Sequence, residues 1–569
     1  VAAFRVVVIG GTGAFGERVC RLLARDPSVD VVIAARRLEP AQALAATLRA
    51  QDGGERITAA TLDLAASTWP GDLARLRPDA VIHTAGPFQG ADYRVAEACI
   101  EAGIHYIDLA DARGFVCGIG TLDDAARAAG VLVASGASSV PALSAAVIEH
   151  VASGLSRIDA IDIAITPGNR APRGRATIAA ILSYVGRPVR LWRDGAWTTG
   201  IGWQDLHRRV LALPDGPSLG PRRFALCDVP DLTLFPERYA VRGRVAFHAG
   251  LELSLLHVGL WLLSWSVRWR WLSSLVPFTD ALRWLADRVR RLGSDRGGML
   301  LDVAGRDAAG RAVTCRWRLL AEAGDGPWIP ALASVALARK LARGAVTARG
   351  AMPCVGLLAM DEVLAEAEGL AVRWACELAQ PLYVQSIGAA YDSLPASIRR
   401  LHDVSAGAVW QGRAEVGGVQ GLLARAAARL FGFPATATDV PVTVAFDVRD
   451  GVETWRRTFG CHTFRSLQYA GTGREQGLIV ERFGAVAFAM RAMVSPQGID
   501  LRLESGRVLG LTLPRFLWPR IAACERVDSA GRFRFDVSIG LPVLGRLVHY
   551  RGWLAPADDV TSPAAPAAG

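Results

Sequence analysis

The chain reads as a doubly wound parallel α/β domain followed, toward its C-terminus, by a mainly antiparallel β domain. Three observations predict this. Short β-branched runs alternate with helical periodicities over residues 4–135, glycines crowd the end of the first run, and period-2 alternation between turn signals takes over beyond residue 440. At 569 residues, 51% of them apolar, the chain is too long for one hydrophobic core and rich enough to fill two or three.

Phe4–Ile9 (FRVVVI) is the run that a doubly covered parallel strand requires, and residues 17–25 follow as a helix with Val19, Leu22 and Leu23 on its apolar face. Between them Gly10, Gly13 and Gly16 give G-x-x-G-x-x-G, while Gly11, Gly13 and Gly16 also satisfy G-x-G-x-x-G. Either register makes a tight turn whose backbone can approach a pyrophosphate. Gly10, Thr12, Gly13, Ala14, Phe15 and Gly16 are therefore the candidate phosphate cradle. A second strand, Val29–Ala35, ends where the ribose-reading residue of such a fold belongs, and Arg36 and Arg37 stand there. A guanidinium pairs with the 2′-phosphate of NADP where an acid would bond the ribose of NAD, so NADP(H) is expected in preference to NAD(H). The plainer reading, a solvated start to the next helix, stays open.

The alternation continues through strands over residues 56–62, 80–84, 105–109 and 131–135, with helices over 92–102 and 122–129. Ligands of such sheets bind outside the carboxyl ends of the strands. That rule places Asp63 near an adenine and the TAGPF stretch, with Ala85, Gly86 and Pro87, beside the nicotinamide ribose.

The blocks GGTGAFGERVCRLLARDP, TAGPFQGADYRVAEACIEAGIHYIDLAD and SGASSVPALSAAV resemble the saccharopine dehydrogenase-like oxidoreductases over residues 1–365. The resemblance implies a Rossmann NAD(P)-binding domain over 1–140 and an inserted α+β domain over 141–345 that carries substrate and homodimer surfaces. It also implies a return to the Rossmann domain and a linker over 346–380, near GAMPCVGLL. Chemistry does not follow from the fold. Amino-acid-forming members carry an acidic G-L-D-P-G turn where this chain has Ser138, Ser139, Val140, Pro141 and Ala142, which argues against saccharopine itself as substrate.

Hydride transfer needs an oriented acceptor and, for most acceptors, a proton donor within hydrogen-bond reach. Tyr93, Asp108 and Asp111 follow the fourth and fifth strands. Ser138 and Ser139 precede a helix beginning near Pro141, whose N-terminus favours a carboxylate or a developing oxyanion. Tyr93, Asp111, Ser138 and Ser139 are the catalytic candidates, each with a duller rival as a helix-face, turn or capping residue. His105 reads as structural, and the other histidines show no metal-ligand spacing, so no metal is expected. Nine cysteines without a C-x-x-C pair read as reduced, structural thiols.

In the middle segment LSLLHVGLWLLSWSV (residues 253–267) contains no charge and runs on to Phe278. It is short for a membrane span. A buried or dimer-interface helix over 251–278 is expected. Its rival is a helix lying on an anionic bilayer, which Trp261, Trp265, Trp269 and Trp271 and the following Arg268, Arg270, Arg283, Arg288, Arg290 and Arg291 would suit. The substrate would then be lipid-like.

Residues 381–555 become β-rich. Val442, Val444, Phe446 and Val448 alternate before the turn Asp450-Gly451, and Phe533, Phe535, Val537 and Ile539 alternate after a turn at Gly531. A sheet curled into a half-barrel with a packed helix is expected, with room for an apolar ligand. LPASIRRLHD and LVHYRGWL resemble domain of unknown function 4166, a resemblance that names no activity. In LPASIRRLHD, His402 reads as a packed histidine beside solvated Arg399 and Arg400, with an open polar mouth lined by the three as the rival. The Pro/Ala-rich tail over 556–569 reads as disordered.

A formal charge of +10 raises nucleic acid as a partner, but the arginines are spread among acids rather than gathered into a tract interleaved with aromatics, and none is expected. The opening residues show no signal-peptide pattern, from which a cytoplasmic location is expected, with peripheral contact at the inner face of the plasma membrane as the membrane alternative. The resulting expectation is an NADP(H)-dependent oxidoreductase acting on a carbonyl, imine or activated alkene of an apolar small molecule. The rivals are a non-catalytic NADP(H)-binding sensor or membrane-associated interaction protein, and a degenerate scaffold.

Overall fold

Six short apolar runs and a seventh contributed from far downstream build the N-terminal sheet. In the computed structural model, which describes residues 3–52, 54–172, 174–417, 422–430, 432–542 and 545–557, its strand order is Gly350–Pro353, Leu132–Ser135, His105–Asp108, Ala80–His83, Phe4–Ile9, Val29–Ala35, Ile57–Thr61. Every neighbouring pair is parallel. Val6, Val7 and Val8 are fully buried, as a strand covered on both faces demands. The helix Gly16–Ala24 turns Val19, Cys20, Leu22 and Leu23 onto the sheet, each large apolar side chain worth roughly 2 kcal/mol when fully buried.

The register sets where a ligand can lie. Ile9 stands level with both Ala34 and His83, and Ala35 with Thr61. The ladder runs on past the strand ends: Gly10 N and Gly11 N donate to Ala34 O, Leu62 N to Ala35 O, and Thr84 N to Ile9 O. The glycine turn, Arg36, Asp63 and Thr84 thus emerge side by side at one edge. The strand order reverses between Phe4–Ile9 and Ala80–His83, which opens a crevice above that point.

After the helix Ser144–Val151 the chain enters a second sheet, ordered His207–Ala212, Ser218–Leu226, Arg244–Ala249, Leu155–Thr166, Gly297–Asp307, Ala312–Ala321, Val372–Ala379, with a hairpin of Pro188–Arg193 and Ala196–Ile201 beside it. The stretch expected to be only a return and linker therefore does more. Gly350–Pro353 completes the first sheet, and Val372–Ala379 goes back to edge the second.

The hydrophobic segment departs from its expectation. It is not one helix over 251–278 but a helix over Ser254–Arg268, a short turn over Val276–Phe278 and a second helix over Thr279–Arg288. Nor is it buried. Only His257, Ser264 and Val267 of the first helix lie inside, because a run that is apolar all round carries no stripe to say which face will be covered. Among the described residues no helix is long and apolar enough to cross a membrane.

The C-terminal sheet is antiparallel and closes on itself. Its path runs Val486–Ser495, Ile479–Phe483, His462–Ala470, Val452–Phe459, Ala437–Arg449, Gly407–Gly417, Gly545–Pro556, Phe533–Leu541, Arg520–Val527, Gly498–Val508, and the first and last of these pair. The expected half-barrel is thus a closed barrel, and closure removes the open edges that a half-barrel would expose. Asp450 and Gly451 both have positive φ, as the tight hairpin turn requires. Val442, Val444, Phe446 and Phe533 point into the core, where they meet the helix Ala396–His402 through Ile398 and Leu401. His402 is packed rather than part of an open mouth: it donates from Nε2 to Glu525 Oε2 at 2.7 Å and stacks on the Tyr383 ring at 3.5 Å. The tail from residue 558 lies outside the described residues.

By contact density the chain divides into two compact units. One comprises Val1–Gly154, Ala160–Val303 and Cys315–Glu377, and the other Leu155–Asp159, Ala304–Thr314 and Leu378–Gly569. None of the nine cysteines is disulfide-bonded.

Candidate functional site

Two glycines of the first turn are there for space. Gly10 has φ +77°, and a Cβ at Gly16 would lie 2.2 Å from Gly10 O and 2.7 Å from Thr84 Oγ1. Thr84 Oγ1 in turn donates to Ile9 O at 2.8 Å, tying the turn to the fourth strand. Gly11 is held against Ile33. Gly13 differs, since only Gly10 O comes near its Cβ position. Thr12, Gly13 and Ala14 are exposed and Phe15 is half-buried, so the crown of the turn presents backbone to solvent at the head of the helix Gly16–Ala24. That is the cradle a pyrophosphate requires. Arg18, which sequence reasoning missed, adds a guanidinium here: it donates to Ala14 O and lies 5.6 Å over the Trp328 ring.

Arg36 and Arg37 are exposed immediately past the second strand, and their side chains make no hydrogen bond or ion pair among the described residues. Asp63, past the third, accepts from Ala65 N at 3.1 Å and is half-buried. Ala85, Gly86 and Pro87 form an exposed loop past the fourth. The sheet thus brings all the cofactor candidates to one edge.

The catalytic candidates fare unevenly. Tyr93 gives its hydroxyl proton to Phe115 O at 2.8 Å, and burial pushes its phenol above the ordinary range. Asp111 is exposed and accepts from Gln89 Nε2 at 3.2 Å. Neither the Ser138 nor the Ser139 hydroxyl caps the following turn or has a hydrogen-bond partner among the described residues, although Ser138 is buried. Asp108 is sealed beneath them. It accepts from Ser135 Oγ, Gly136 N and Ala110 N, and burial outweighs these bonds to push it up to about 6. Its neighbour His83 shares a 3.0 Å hydrogen bond with the Tyr106 hydroxyl, and burial pushes it down to about 4, leaving it neutral. His105 accepts from Leu132 N, the structural part expected of it.

A recess of about 330 Å³ opens beside this edge, lined by Gln89, Tyr93, Arg113, Ser183, Tyr184 and Asp228 among others. Gln89 stands two residues beyond Pro87, so the same loop serves cofactor edge and recess. Arg113 joins its two walls, donating to Asp228 Oδ1 at 3.0 Å, Arg190 O at 2.8 Å and Thr233 Oγ1 at 2.5 Å. Arg113, Tyr184 and Asp228 were invisible as a site, because no motif links them and the inserted domain alone brings them together.

Elsewhere in this unit Asp205, His207 and His248 converge, with their ligand-type atoms within 4.8 Å of one another. Sequence spacing could not show this, since His207 and His248 come from separate strands. The Arg193 guanidinium, 4.0 Å from Asp205 Oδ2, already supplies a cation there.

Residues 6–134 match the family model described as Saccharopine dehydrogenase NADP binding domain, and residues 394–554 match Domain of unknown function (DUF4166). No curated protein matches the chain. Among solved structures, saccharopine dehydrogenase (L-Glu forming) from Saccharomyces cerevisiae is 14% identical with a TM-score of 0.47, over 66% of this chain and 100% of that one. Amine dehydrogenase from Mycobacterium smegmatis is 13% identical at 0.35, over 62% and 96%. A probable dehydrogenase from Thermotoga maritima is 9% identical at 0.32, over 64% and 93%. The N-terminal segment of the chain is thus similar to the NADP-binding domain of saccharopine dehydrogenase, and its C-terminal segment to domain of unknown function 4166.

Proposed function

We propose that the protein is an NADP(H)-dependent oxidoreductase that transfers hydride to or from a carbonyl, imine or activated alkene of an apolar small molecule. The observation that supports it most is the pair of exposed arginines, Arg36 and Arg37, whose side chains have no partner among the described residues and which directly follow a strand that stands level with the glycine turn. The cofactor, when bound, supplies the hydride. The exposed backbone over Thr12, Gly13 and Ala14 would hold its pyrophosphate, Arg36 its 2′-phosphate, Asp63 its adenine and the Ala85-Gly86-Pro87 loop its nicotinamide ribose.

The recess beside Gln89 would take the acceptor. Tyr93 donates from its hydroxyl to Phe115 O and would serve as an orienting wall, while the Ser138 and Ser139 hydroxyls would meet a polar group of the substrate. Calorimetric titration tests the cofactor half of this reading. NADPH is expected to bind at least tenfold more tightly than NADH, and Arg36→Ala to erase that preference by weakening NADPH alone, about 1.4 kcal/mol or more for one lost charge-assisted contact. Equal affinity for both cofactors in the native protein would rule out the 2′-phosphate role.

A further inference from the structure

We propose that the face built by residues 254–292 docks the protein on an anionic lipid bilayer. This stands apart from the cofactor reading, because none of these residues belongs to the cradle or the recess.

The two helices have a committed side. Leu260, Trp261, Leu272 and Leu282 pack against Leu182, Val185 and Trp203, which leaves the opposite side without a partner in this unit. Leu255, Leu262 and Trp269 recur about every two helical turns and so share one stripe. Leu255 is 77% exposed, and Trp271 and Leu292 are each 73% exposed. Trp284, Phe278 and Leu285 are also exposed. Isolated exposed apolar residues are ordinary, but three exposed indoles with leucines in one short segment mark an interaction surface.

Charge decides what that surface meets. Residues 254–292 hold six arginines and two aspartates. All six arginines are exposed, and the guanidinium groups of Arg270, Arg283 and Arg291 make no hydrogen bond or ion pair among the described residues. Arg288 lies 4.4 Å over the Trp284 ring and Arg268 4.9 Å over Trp265, so cations stand at the level of the indoles. Asp280 is engaged by Arg175 at 3.0 Å. A symmetric contact between two copies would bring the same patch against itself and set arginine against arginine. A bilayer with anionic headgroups offers the complement to both parts, apolar below and negative at the surface, and indole rings favour that boundary.

The test is co-sedimentation of the full chain with vesicles of phosphatidylcholine alone or of phosphatidylcholine with phosphatidylglycerol, with ultracentrifugation of the free protein alongside. Binding to the anionic vesicles is expected to exceed binding to the neutral ones by about tenfold and to fall with added salt. The double variants Trp271→Ser/Trp284→Ser and Arg270→Glu/Arg291→Glu change exposed side chains only. Each is expected to weaken binding about tenfold and to leave the NADPH titration unchanged. Absence of binding to either vesicle overturns the proposal, as does binding that both variants retain. A dimer in solution that the tryptophan variant dissociates, without any vesicle binding, would assign the face to a second copy instead.

Discussion

Gly16→Val is expected to abolish the proposed NADPH binding and to lower the stability of the N-terminal unit. The added Cβ alone would sit 2.2 Å from Gly10 O, 2.8 Å from Gly10 C and 2.7 Å from Thr84 Oγ1. Two of these are backbone atoms of a turn anchored by Gly10 N and Gly11 N on Ala34 O, so relief requires the turn to leave the sheet edge. Overpacking of this kind costs about 1–3 kcal/mol before any ligand is considered. Gly13→Val separates stability from binding. Gly13 is exposed, its φ is not positive and only Gly10 O lies near its Cβ position, at 3.1 Å, so this variant is expected to melt close to the native protein. Its isopropyl group nevertheless covers the crown where the pyrophosphate is proposed to lie, and binding is expected to weaken at least tenfold. Calorimetry and thermal melting on both variants check this. Native affinity in a folded Gly13→Val protein would remove the cradle from the glycine turn altogether.

The parts of this molecule that could be read from the sequence are those where burial constrains every position. Phe4–Ile9 and Val29–Ala35 are apolar except at Arg5 and Asp30, which pair with each other at 3.4 Å near the strand starts, because helices cover both faces of their sheet, and their observed bounds match the runs read from the sequence. The turn at Asp450-Gly451 was legible because its backbone requires positive φ at both residues. Pairing was not. Alternation at Val442, Val444 and Phe446 says which face looks inward, yet it cannot say that Val486–Ser495 will meet Gly498–Val508 and close the barrel. The recess was equally hidden, since Tyr184 and Asp228 acquire meaning only when Arg113 spans to them. In the hydrophobic segment the absence of charge suggested burial, while tertiary structure needed only one of its faces.

Asp231 is a buried carboxyl held far above its ordinary range, and it yields a second strong expectation. It is fully buried within the inserted domain, and Ser144 Oγ donates to its Oδ1 at 2.5 Å across 87 residues of sequence, while Oδ2 has no partner among the described residues. Burial outweighs the hydrogen bonds from Ser144 and from its own backbone N–H and pushes its carboxyl from 3.8 up to about 7. The folded state therefore holds a proton that the unfolded chain releases between about pH 4 and 7. The associated stability is fully present below about pH 4, declines as pH rises through that window and is lost above 7, amounting in all to roughly 4 kcal/mol. Asp231→Asn keeps the acceptor for Ser144 and removes the titration. Between pH 5 and pH 8 the native protein is expected to lose roughly 3 kcal/mol more stability than Asp231→Asn, measured by denaturant unfolding. Other groups that titrate in this window, Asp108 among them, are common to both proteins and cancel in the comparison. Parallel loss in the two would mean that Asp231 is ionised in the folded protein and that its Oδ2 has found a partner, such as an ordered water, that compensates the charge.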